Sequence, residues 1–233
     1  MSPWEKAIVA TEIGVATAVL VGLLVKGHWR SCYSFVLYLG SFVIFEGAIL
    51  AWPGRFFRLD FWLAKEAIEA LLKLAMAFEI AVRVFERLPT ARVTFALAFL
   101  AGLSVIAVSV APTVAGDVET VTSIGLPRLL YGTALIFAGL LGVCLWFHVP
   151  LYTIHKAVLV GLVPYLVTFT VVIQFLQTFG WNLRREPANY LNTVAFISLL
   201  AFWTRAAWRR FRPSDVSPIV LSFLQPWVRT GRA

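Results

Sequence analysis

Seven ionisable residues interrupt a long apolar segment, FWLAKEAIEALLKLAMAFEIAVRVFE, which covers residues 61–86. They are Lys65, Glu66, Glu69, Lys73, Glu79, Arg83 and Glu86. In water such residues form the solvated face of a helix, whereas inside a bilayer each costs at least about 2.5–3.5 kcal/mol and marks a candidate site for protons, ions or ligands. The chemistry of this segment therefore depends on whether it crosses a membrane.

The composition of the chain is that of an integral membrane protein. Of its 233 residues 60% are hydrophobic and 14% are charged, and the mean hydropathy is +0.84. Soluble proteins carry about 25% charged residues. Apolar runs of the roughly 20 residues that a hydrocarbon core of ~30 Å requires recur along the whole chain. We therefore expect a multi-pass membrane protein without a separate soluble domain.

Glycine, proline and charge clusters divide the apolar sequence into seven predicted transmembrane helices. They lie near residues 4–26, 34–52, 61–87, 93–111, 127–147, 151–178 and 190–209. Short connections place sequential helices side by side, as in compact bundles. The predicted fold is an all-α seven-helix bundle over residues 1–212, followed by a short C-terminal segment over residues 213–233.

Lys and Arg are unequally distributed between the two predicted faces of this bundle. One face carries most of them, including Lys26, Arg87 and Arg209, while the other has fewer, among them Lys65 near the start of the third span. By the positive-inside rule the C-terminus is cytoplasmic and the N-terminus lies outside. This topology accounts for the net charge of +8, so we expect no nucleic-acid partner.

The segment that follows the last span carries apolar and aromatic residues between clusters of arginine, within residues 213–233 and just before them. That pattern predicts a short interfacial helix on the anionic lipids of the inner leaflet. Docking to a cytoplasmic partner is the alternative. The expected partners are thus membrane lipids and, secondarily, other membrane subunits.

The first three spans bring several charges to one depth. At a rise of about 1.5 Å per residue, Glu12, Glu46, Glu69 and Lys73 fall at one level in the outer half of the membrane. Glu66 shares the face of Glu69 and Lys73, because their spacing is i, i+3, i+7. The excess of carboxylates predicts that at least one is protonated at neutral pH. These five residues are our candidate ligand- or ion-responsive site, and a structural polar network that fixes helix register is the alternative.

Two further features of the spans are predicted to be mainly structural. Glu79 and Arg83 stand four residues apart near the inner end of the third span, which predicts an intrahelical ion pair. Pro164 lies near the middle of the sixth span, where it removes one backbone hydrogen bond and is expected to kink the helix. The kink is either a hinge or a static bend.

The sequence offers no motif for a cofactor, a metal or an enzymatic reaction. His28, His148 and His155 all fall near the inner ends of spans, which argues against haem held by two histidines and against zinc. The last span contains no lysine that would hold retinal. The chain has no GxSxG, no Walker loop and no HExxH. We therefore expect a non-enzymatic protein without a cofactor or a metal.

The third span and its following turn, DFWLAKEAIEALLKLAMAFEIAVRVFERLPTAR, resemble an uncharacterised bacterial seven-helix membrane protein family of acidobacterial type. The shared features are the aromatic start at Phe61 and Trp62, the Glu79–Ile80 pair, the exit from Arg83 to Phe85, and Pro89. The segments YSFVLYLGSFVI and LPRLLYGTALIFAGLLGVCLWFHVPLYTIHKAVLVGL are similar too, so the resemblance covers most of the chain.

In topology that family is similar to the seven-helix sensor regions that precede some histidine kinases. The resemblance implies a non-enzymatic module of the bacterial cytoplasmic membrane and gives no ligand.

Three functions are compatible with these features. The first is a receptor-like or sensory seven-helix module whose buried charges respond to a ligand. The second is an accessory or scaffold subunit of a larger membrane complex. The abundance of aromatic residues also favours this function. The third is a transporter of small solutes or ions, which predicts an internal repeat. The charges of the third span have no counterpart in the seventh, so no such symmetry is visible.

The predicted topology is tested by cysteine labelling. Cysteines introduced into WRRFR, residues 208–212, and into GDVETVTS, residues 116–123, should react from opposite sides of the membrane, with the former on the cytoplasmic side. A membrane-impermeant maleimide applied to intact cells measures this directly. Labelling of both positions from outside would contradict the seven-span topology.

Overall fold

A computed structural model describes residues 3–56, 58–88, 92–114, 120–179 and 181–209. Within these residues the chain is helical and contains no strand. In chain order the α-helices are α1 (Pro3–Val25), α2 (Tyr33–Ala51), α3 (Pro53–Phe56), α4 (Leu59–Phe85), α5 (Arg92–Val114), α6 (Leu126–Trp146), α7 (Thr153–Phe179) and α8 (Trp181–Ala207). A 3-10 turn (His28–Arg30) precedes α2, and a π-type turn (Val121–Gly125) leads into α6. The predicted interfacial segment over residues 213–233 lies outside the described residues.

Five helices have the length and the apolar composition needed to cross a membrane. They are α1, α2, α6, residues Val93–Pro112 of α5 and residues Thr153–Phe175 of α7. The predicted all-helical fold is therefore confirmed for the described residues, and the five apolar helices are compatible with a membrane bundle. The number of seven spans and their orientation stay predictions. Helices α4 and α8 are long enough to cross a membrane but are more polar than the other five. In α4 the cause is the set of ionisable residues within residues 61–86.

The predicted helix boundaries agree with the structure to within three residues, except at the start of α8. This helix begins at Trp181, nine residues before the predicted start at residue 190. The sequence between them, WNLRREPAN, is polar, and we expected a loop there. Leu, Arg and Glu are nonetheless good helix formers, so loss of hydrophobicity does not end the helix. The apolar pattern identified the hydrophobic part of α8 rather than its full length.

Six of the long helices pack in a closed ring. Going around the ring, α1 contacts α2, α2 contacts α4, α4 contacts α6, α6 contacts α7, α7 contacts α8, and α8 returns to α1. Helix α5 lies outside this ring, against α6 and α4. As a result α4 has three long neighbours, and one of its faces is turned to the ring interior.

Aromatic side chains from opposite parts of the chain fill one end of the ring. Trp203 on α8 is fully buried, and its indole Nε1 donates a hydrogen bond to the carbonyl oxygen of Ala157 on α7 at 3.1 Å. The ring of Phe35 on α2 meets Trp203 edge to face, with 4.7 Å between centroids. Phe42 and Phe196 make a similar contact at 5.0 Å. These rings join α2 to α8 across the interior.

The ring closes where the C-terminal end of α8 meets α1. Trp208 follows directly after α8, and its Nε1 donates to the carbonyl oxygen of Ala18 at 3.1 Å. Gly22 lies opposite, where a Cβ atom would stand 2.8 Å from Trp208 Nε1. The first and last long helices are thus in direct contact, which fixes the circumference of the ring.

Helix α7 continues without a break from Thr153 through Pro164 to Phe179. The Thr168 hydroxyl donates to the carbonyl oxygen of Pro164 at 2.9 Å. A hinge at Pro164 therefore stays a prediction. One turn earlier, Gly161 allows α8 to approach closely, because a Cβ atom there would lie 2.7 Å from Leu199 Cδ1 and 2.9 Å from Trp203 Nε1.

The close approach of α7 and α8 predicts that Gly161→Ala is destabilising. The added methyl group must push Leu199 and Trp203 apart, which costs about 1–3 kcal/mol. Gly142→Ala on α6 is the matched control, because a Cβ atom at Gly142 meets nothing within 4 Å and alanine favours a helix by up to about 1 kcal/mol. Thermal unfolding in detergent, followed by circular dichroism, should give a lower Tm for Gly161→Ala only. Equal melting of the two variants would contradict the packing described here.

Candidate functional site

Helix α4 carries most of the buried charge in the described part of the protein. Lys65, Glu69 and Lys73 follow one another at intervals of four residues, so they lie on one face of the helix. Their side chains are only 11%, 7% and 8% exposed. Since α4 packs against α2 and α6, this face points into the ring.

Lys65 is the centre of the site. Its Nζ donates a hydrogen bond to Oε1 of Glu46 on α2. The same Nζ lies 3.7 Å from Oε1 of Glu69 and 3.9 Å from Oε1 of Glu66. The other carboxylate oxygen of Glu69, Oε2, is 3.6 Å from Nζ of Lys73. One ammonium group thus neutralises three carboxylates in part, and Glu69 links it to a second ammonium.

Groups from other helices complete the surroundings. Glu12 on α1 is half-buried and close enough to Glu46 and Lys65 to interact electrostatically with both. The ammonium of Lys73 lies over the buried ring of Tyr38 on α2, 5.5 Å from its centroid, and such a cation–π contact contributes up to about 2 kcal/mol when it is desolvated. We call Glu12, Glu46, Lys65, Glu66, Glu69 and Lys73 together the charge cluster.

Polar groups of α7 and α8 extend the charge cluster towards the far side of the ring. Tyr165 on α7 is within electrostatic range of Glu69, Glu66 and Glu12. The side chain of Asn192 on α8 lies beside Tyr165. Its Oδ1 is buried and has no hydrogen bond to any described residue. The ring interior is therefore polar at this level, with side chains from five helices facing one another.

The balance of charge limits what the cluster can bind. Four carboxylates face two ammonium groups, so the fully ionised cluster has an excess of two negative charges. Oε1 of Glu69 is buried and has no hydrogen bond within the described residues. In a medium of low dielectric constant such an excess is relieved by binding a proton or a cation. The arrangement is suited to cations and unsuited to anions.

The structure brings together four of the five predicted residues, Glu46, Glu66, Glu69 and Lys73, with Glu12 at the edge. It also adds Lys65, which we had counted with the basic residues of the outer face. Its position near the start of the helix suggested an interfacial lysine, but its long side chain carries the ammonium inward to Glu46. The sequence did indicate this position, because Lys65 precedes Glu69 by four residues and therefore lies on the same face of α4.

The prediction that Glu79 pairs with Arg83 differs from what the structure shows. Oε2 of Glu79 accepts hydrogen bonds from the backbone N–H of Ser34, at 3.0 Å, and from its hydroxyl. Oε1 lies 3.7 Å from Nε2 of His155. The guanidinium of Arg83 instead faces the Tyr152 ring, 5.8 Å from its centroid. Ser34 is in the first turn of α2, whose free N–H groups and dipole attract a carboxylate, so a tertiary contact replaces the local one.

We call Glu79, Ser34 and His155 the Glu79 site. His155, which was predicted near the inner end of a span, lies in the first turn of α7, and its side chain is only 2% exposed. Neither ring nitrogen has a hydrogen bond to a described residue. The Glu79 site joins α4 to the first turns of α2 and α7, near the end of the bundle opposite to Lys65.

Metal and thiol chemistry find little support in the described residues. Among them no group of three His, Cys, Asp or Glu residues is arranged to hold a metal ion. Cys32 and Cys144 are both buried and free. The Cys32 thiol, just before α2, donates to the carbonyl oxygen of His28 at 3.1 Å. Burial and, to a smaller extent, the nearby Glu79 together raise the pKa of the Cys32 thiol to about 12, so this thiol is neutral and unreactive at physiological pH.

Comparison with known proteins does not add to these observations. No protein-family model, no curated protein sequence and no solved structure matches the chain significantly. The function is therefore argued from the charge cluster and from the helices that hold it.

The central position of Lys65 predicts an order of sensitivity among lysine substitutions. Lys65→Met leaves Glu46 and Glu66 without a cation and leaves Glu69 with Lys73 alone, and removal of one partner of a buried ion pair costs about 3–5 kcal/mol. Lys73→Met is the matched control, because it is the same change on the same helix and removes contact with one carboxylate. Thermal unfolding in detergent should show the larger loss for Lys65→Met.

A second substitution separates charge from packing in this comparison. Adding Glu46→Gln to Lys65→Met should restore part of the lost stability, since it removes one uncompensated charge while keeping the shape of the side chain. Equal losses for Lys65→Met and Lys73→Met, without any rescue by Glu46→Gln, would contradict the central role of Lys65.

Proposed function

We propose that the protein is a non-enzymatic, receptor-like membrane module in which the charge cluster binds a proton and thereby changes the packing of the ring. The observation that carries this proposal is the environment of Lys65, whose ammonium group lies within 4 Å of three carboxylates that are at most 19% exposed. Ionisable groups buried at such depth are expensive and are commonly functional.

The charge excess supports a cationic ligand. A structural network would be most stable if its charges balanced, because each uncompensated buried charge costs several kcal/mol. The charge cluster has two more carboxylates than ammonium groups, and one oxygen of Glu69 has no hydrogen-bond donor among the described residues. A bound proton reduces this imbalance and so stabilises one arrangement of the surrounding helices over others.

Helix α4 provides a path from the charge cluster to the other end of the bundle. Glu69 and Glu79 are ten residues apart, which corresponds to about 15 Å along the helix. The cluster end of α4 is held by Glu46 of α2, and the far end is held by Ser34 of α2 and His155 of α7. A ligand changes the populations of two arrangements of these helices only if it binds one arrangement more tightly than the other. Movement of α4 relative to α2 is the simplest change that alters both ends together.

We infer that the protein lies in a bacterial cytoplasmic membrane with seven spans, formed by α4, α8 and the five apolar helices. The distribution of Lys and Arg supports an outside N-terminus and a cytoplasmic C-terminus. In this orientation the charge cluster is in the outer half of the membrane and the Glu79 site is towards the cytoplasm. The C-terminal residues 213–233 then lie against the anionic inner leaflet. Such an arrangement suits reception of an external signal.

A role as accessory subunit of a membrane complex is the second candidate. Helix α5 lies outside the ring, and its large apolar side chains Leu97, Val105 and Val108 are 62%, 68% and 73% exposed. This face meets either lipid or the helices of another subunit. Purification from the native membrane distinguishes the two functions, because a partner in stoichiometric amount favours the subunit and a protein that elutes alone favours the receptor.

The receptor-like function is tested by hydrogen–deuterium exchange of the full-length protein in lipid nanodiscs between pH 5.5 and 8. After correction for the intrinsic effect of pH, protection of residues 33–37 and 153–158 should change about fivefold or more, the lower limit of typical coupling energies. In Glu46→Gln/Glu66→Gln the cluster has two carboxylates and two ammonium groups, so the change should disappear.

Glu86→Gln is the matched control, since Glu86 is an exposed carboxylate just after α4 and its loss should leave the parent response intact. A pH response that persists in Glu46→Gln/Glu66→Gln would assign the titration to the Glu79 site and contradict the proposed role of the charge cluster.

A further inference from the structure

A cavity lies between α5 and α6, away from the charge cluster. It has a volume of about 700 Å³, within the range of roughly 300–1,000 Å³ that is usual for small-molecule sites. Its walls are mainly apolar and aromatic, with Phe95 and Phe99 on α5 and Leu135 and Val143 on α6. From Arg128 to Val143 the lining of α6 extends over fifteen residues, or about 22 Å. The cavity is thus a long apolar groove.

Glycines determine where the two helices touch and where they separate. At Gly132 a Cβ atom would stand only 2.4 Å from Cγ1 of Ile106, so the backbone of α6 is in contact with α5 there. At Gly102 and Gly139, which also line the groove, a Cβ atom would meet nothing within 4 Å. The groove is therefore open at these two positions because of its small residues, and larger side chains would fill it.

One end of the groove is basic. Arg128 is the one charged residue among the described residues that line it. Its Nη1 donates to the carbonyl oxygen of Ser109 on α5 at 3.0 Å, which orients the guanidinium across the mouth of the groove. A guanidinium has five N–H donors, so others remain for a second acceptor.

We propose that this groove binds an anionic phospholipid, with one acyl chain along α5 and α6 and the headgroup phosphate at Arg128. Both helices are apolar enough to cross a membrane, and the groove lies on the outer side of the six-helix ring, so it is reached from the bilayer. An apolar channel with a single cation at its end is complementary to an amphiphile with an anionic head.

The length of the groove agrees with this occupant. One leaflet contributes about half of the ~30 Å hydrocarbon core, so a groove of about 22 Å holds an extended acyl chain along its full length. Side chains of two helices enclose the acyl chain in the groove, whereas a lipid elsewhere on the protein surface contacts a single layer of side chains. The proposal is independent of the receptor-like function, because the groove does not include the charge cluster.

Native mass spectrometry of the full-length protein tests the proposal, in detergent supplemented with either phosphatidylglycerol or phosphatidylcholine. The parent should retain one phosphatidylglycerol in preference to phosphatidylcholine. Gly139→Leu places a side chain in the groove and should lower the apparent affinity for phosphatidylglycerol about tenfold, equivalent to about 1.4 kcal/mol. Gly142→Leu is the matched control on the same helix, since Gly142 has open space but does not line the groove.

Arg128→Gln tests the headgroup separately. It should lower the affinity for phosphatidylglycerol to near that for phosphatidylcholine, and it should weaken phosphatidylcholine less, because the choline ammonium already offsets the charge of that lipid's phosphate. Gly102→Leu fills the groove from α5 and repeats the test if Gly139→Leu does not fold. Equal retention of the two lipids by the parent would overturn the proposal, as would unchanged retention in a folded groove-filling variant. A dimer that Gly139→Leu dissociates would assign the groove to a second copy of the chain and would also overturn it.

Discussion

The structure depends on the cost of placing Lys65 and its carboxylates in a medium of low dielectric constant. An ammonium group is tolerated at this depth only if anions surround it and lipid does not. Glu46 supplies one of those anions from α2, while Glu66 and Glu69 come from α4 itself. The charged face of α4 must therefore turn inward, and this requirement determines which neighbours α4 has and where α2 stands beside it.

The six-helix ring follows from the same requirement. A polar face along one helix needs walls on all sides, and a closed ring provides them, whereas an open row of helices would leave one side in contact with lipid. Aromatic residues fill the remaining interior, with Trp203 and Phe35 meeting near the Ala157 carbonyl. Helix α5 has few polar side chains and does not need this protection, which agrees with its position outside the ring. Apolar packing and charge burial thus support the same arrangement.

The sequence was sufficient to predict the helices and most of the residues of the charge cluster. Long apolar runs mark the candidate membrane spans, and depth follows from a constant rise per residue, so Glu12, Glu46, Glu69 and Lys73 were assigned to one level from their numbers alone. Glu66 was added because it shares the helix face of Glu69 and Lys73. Partners across helices were harder to predict. Lys65 reaches inward because of a flexible side chain, and Glu79 turns from Arg83 to Ser34 because α2 happens to begin there. The spacing of residues within α4 does not determine the partner of either Lys65 or Glu79.

The contact between α8 and α1 has a consequence for how the protein is made. A chain emerging from the ribosome delivers α1 first and α8 last, yet these two helices must meet, through Trp208 and Ala18, before the ring is complete. Until then one side of the charged face of α4 is uncovered. Its polarity makes insertion of α4 alone unfavourable, whereas Glu46 on the preceding long helix offers an immediate partner for Lys65. The order of synthesis therefore favours a pair of α2 and α4 as an early intermediate, which the later helices then enclose.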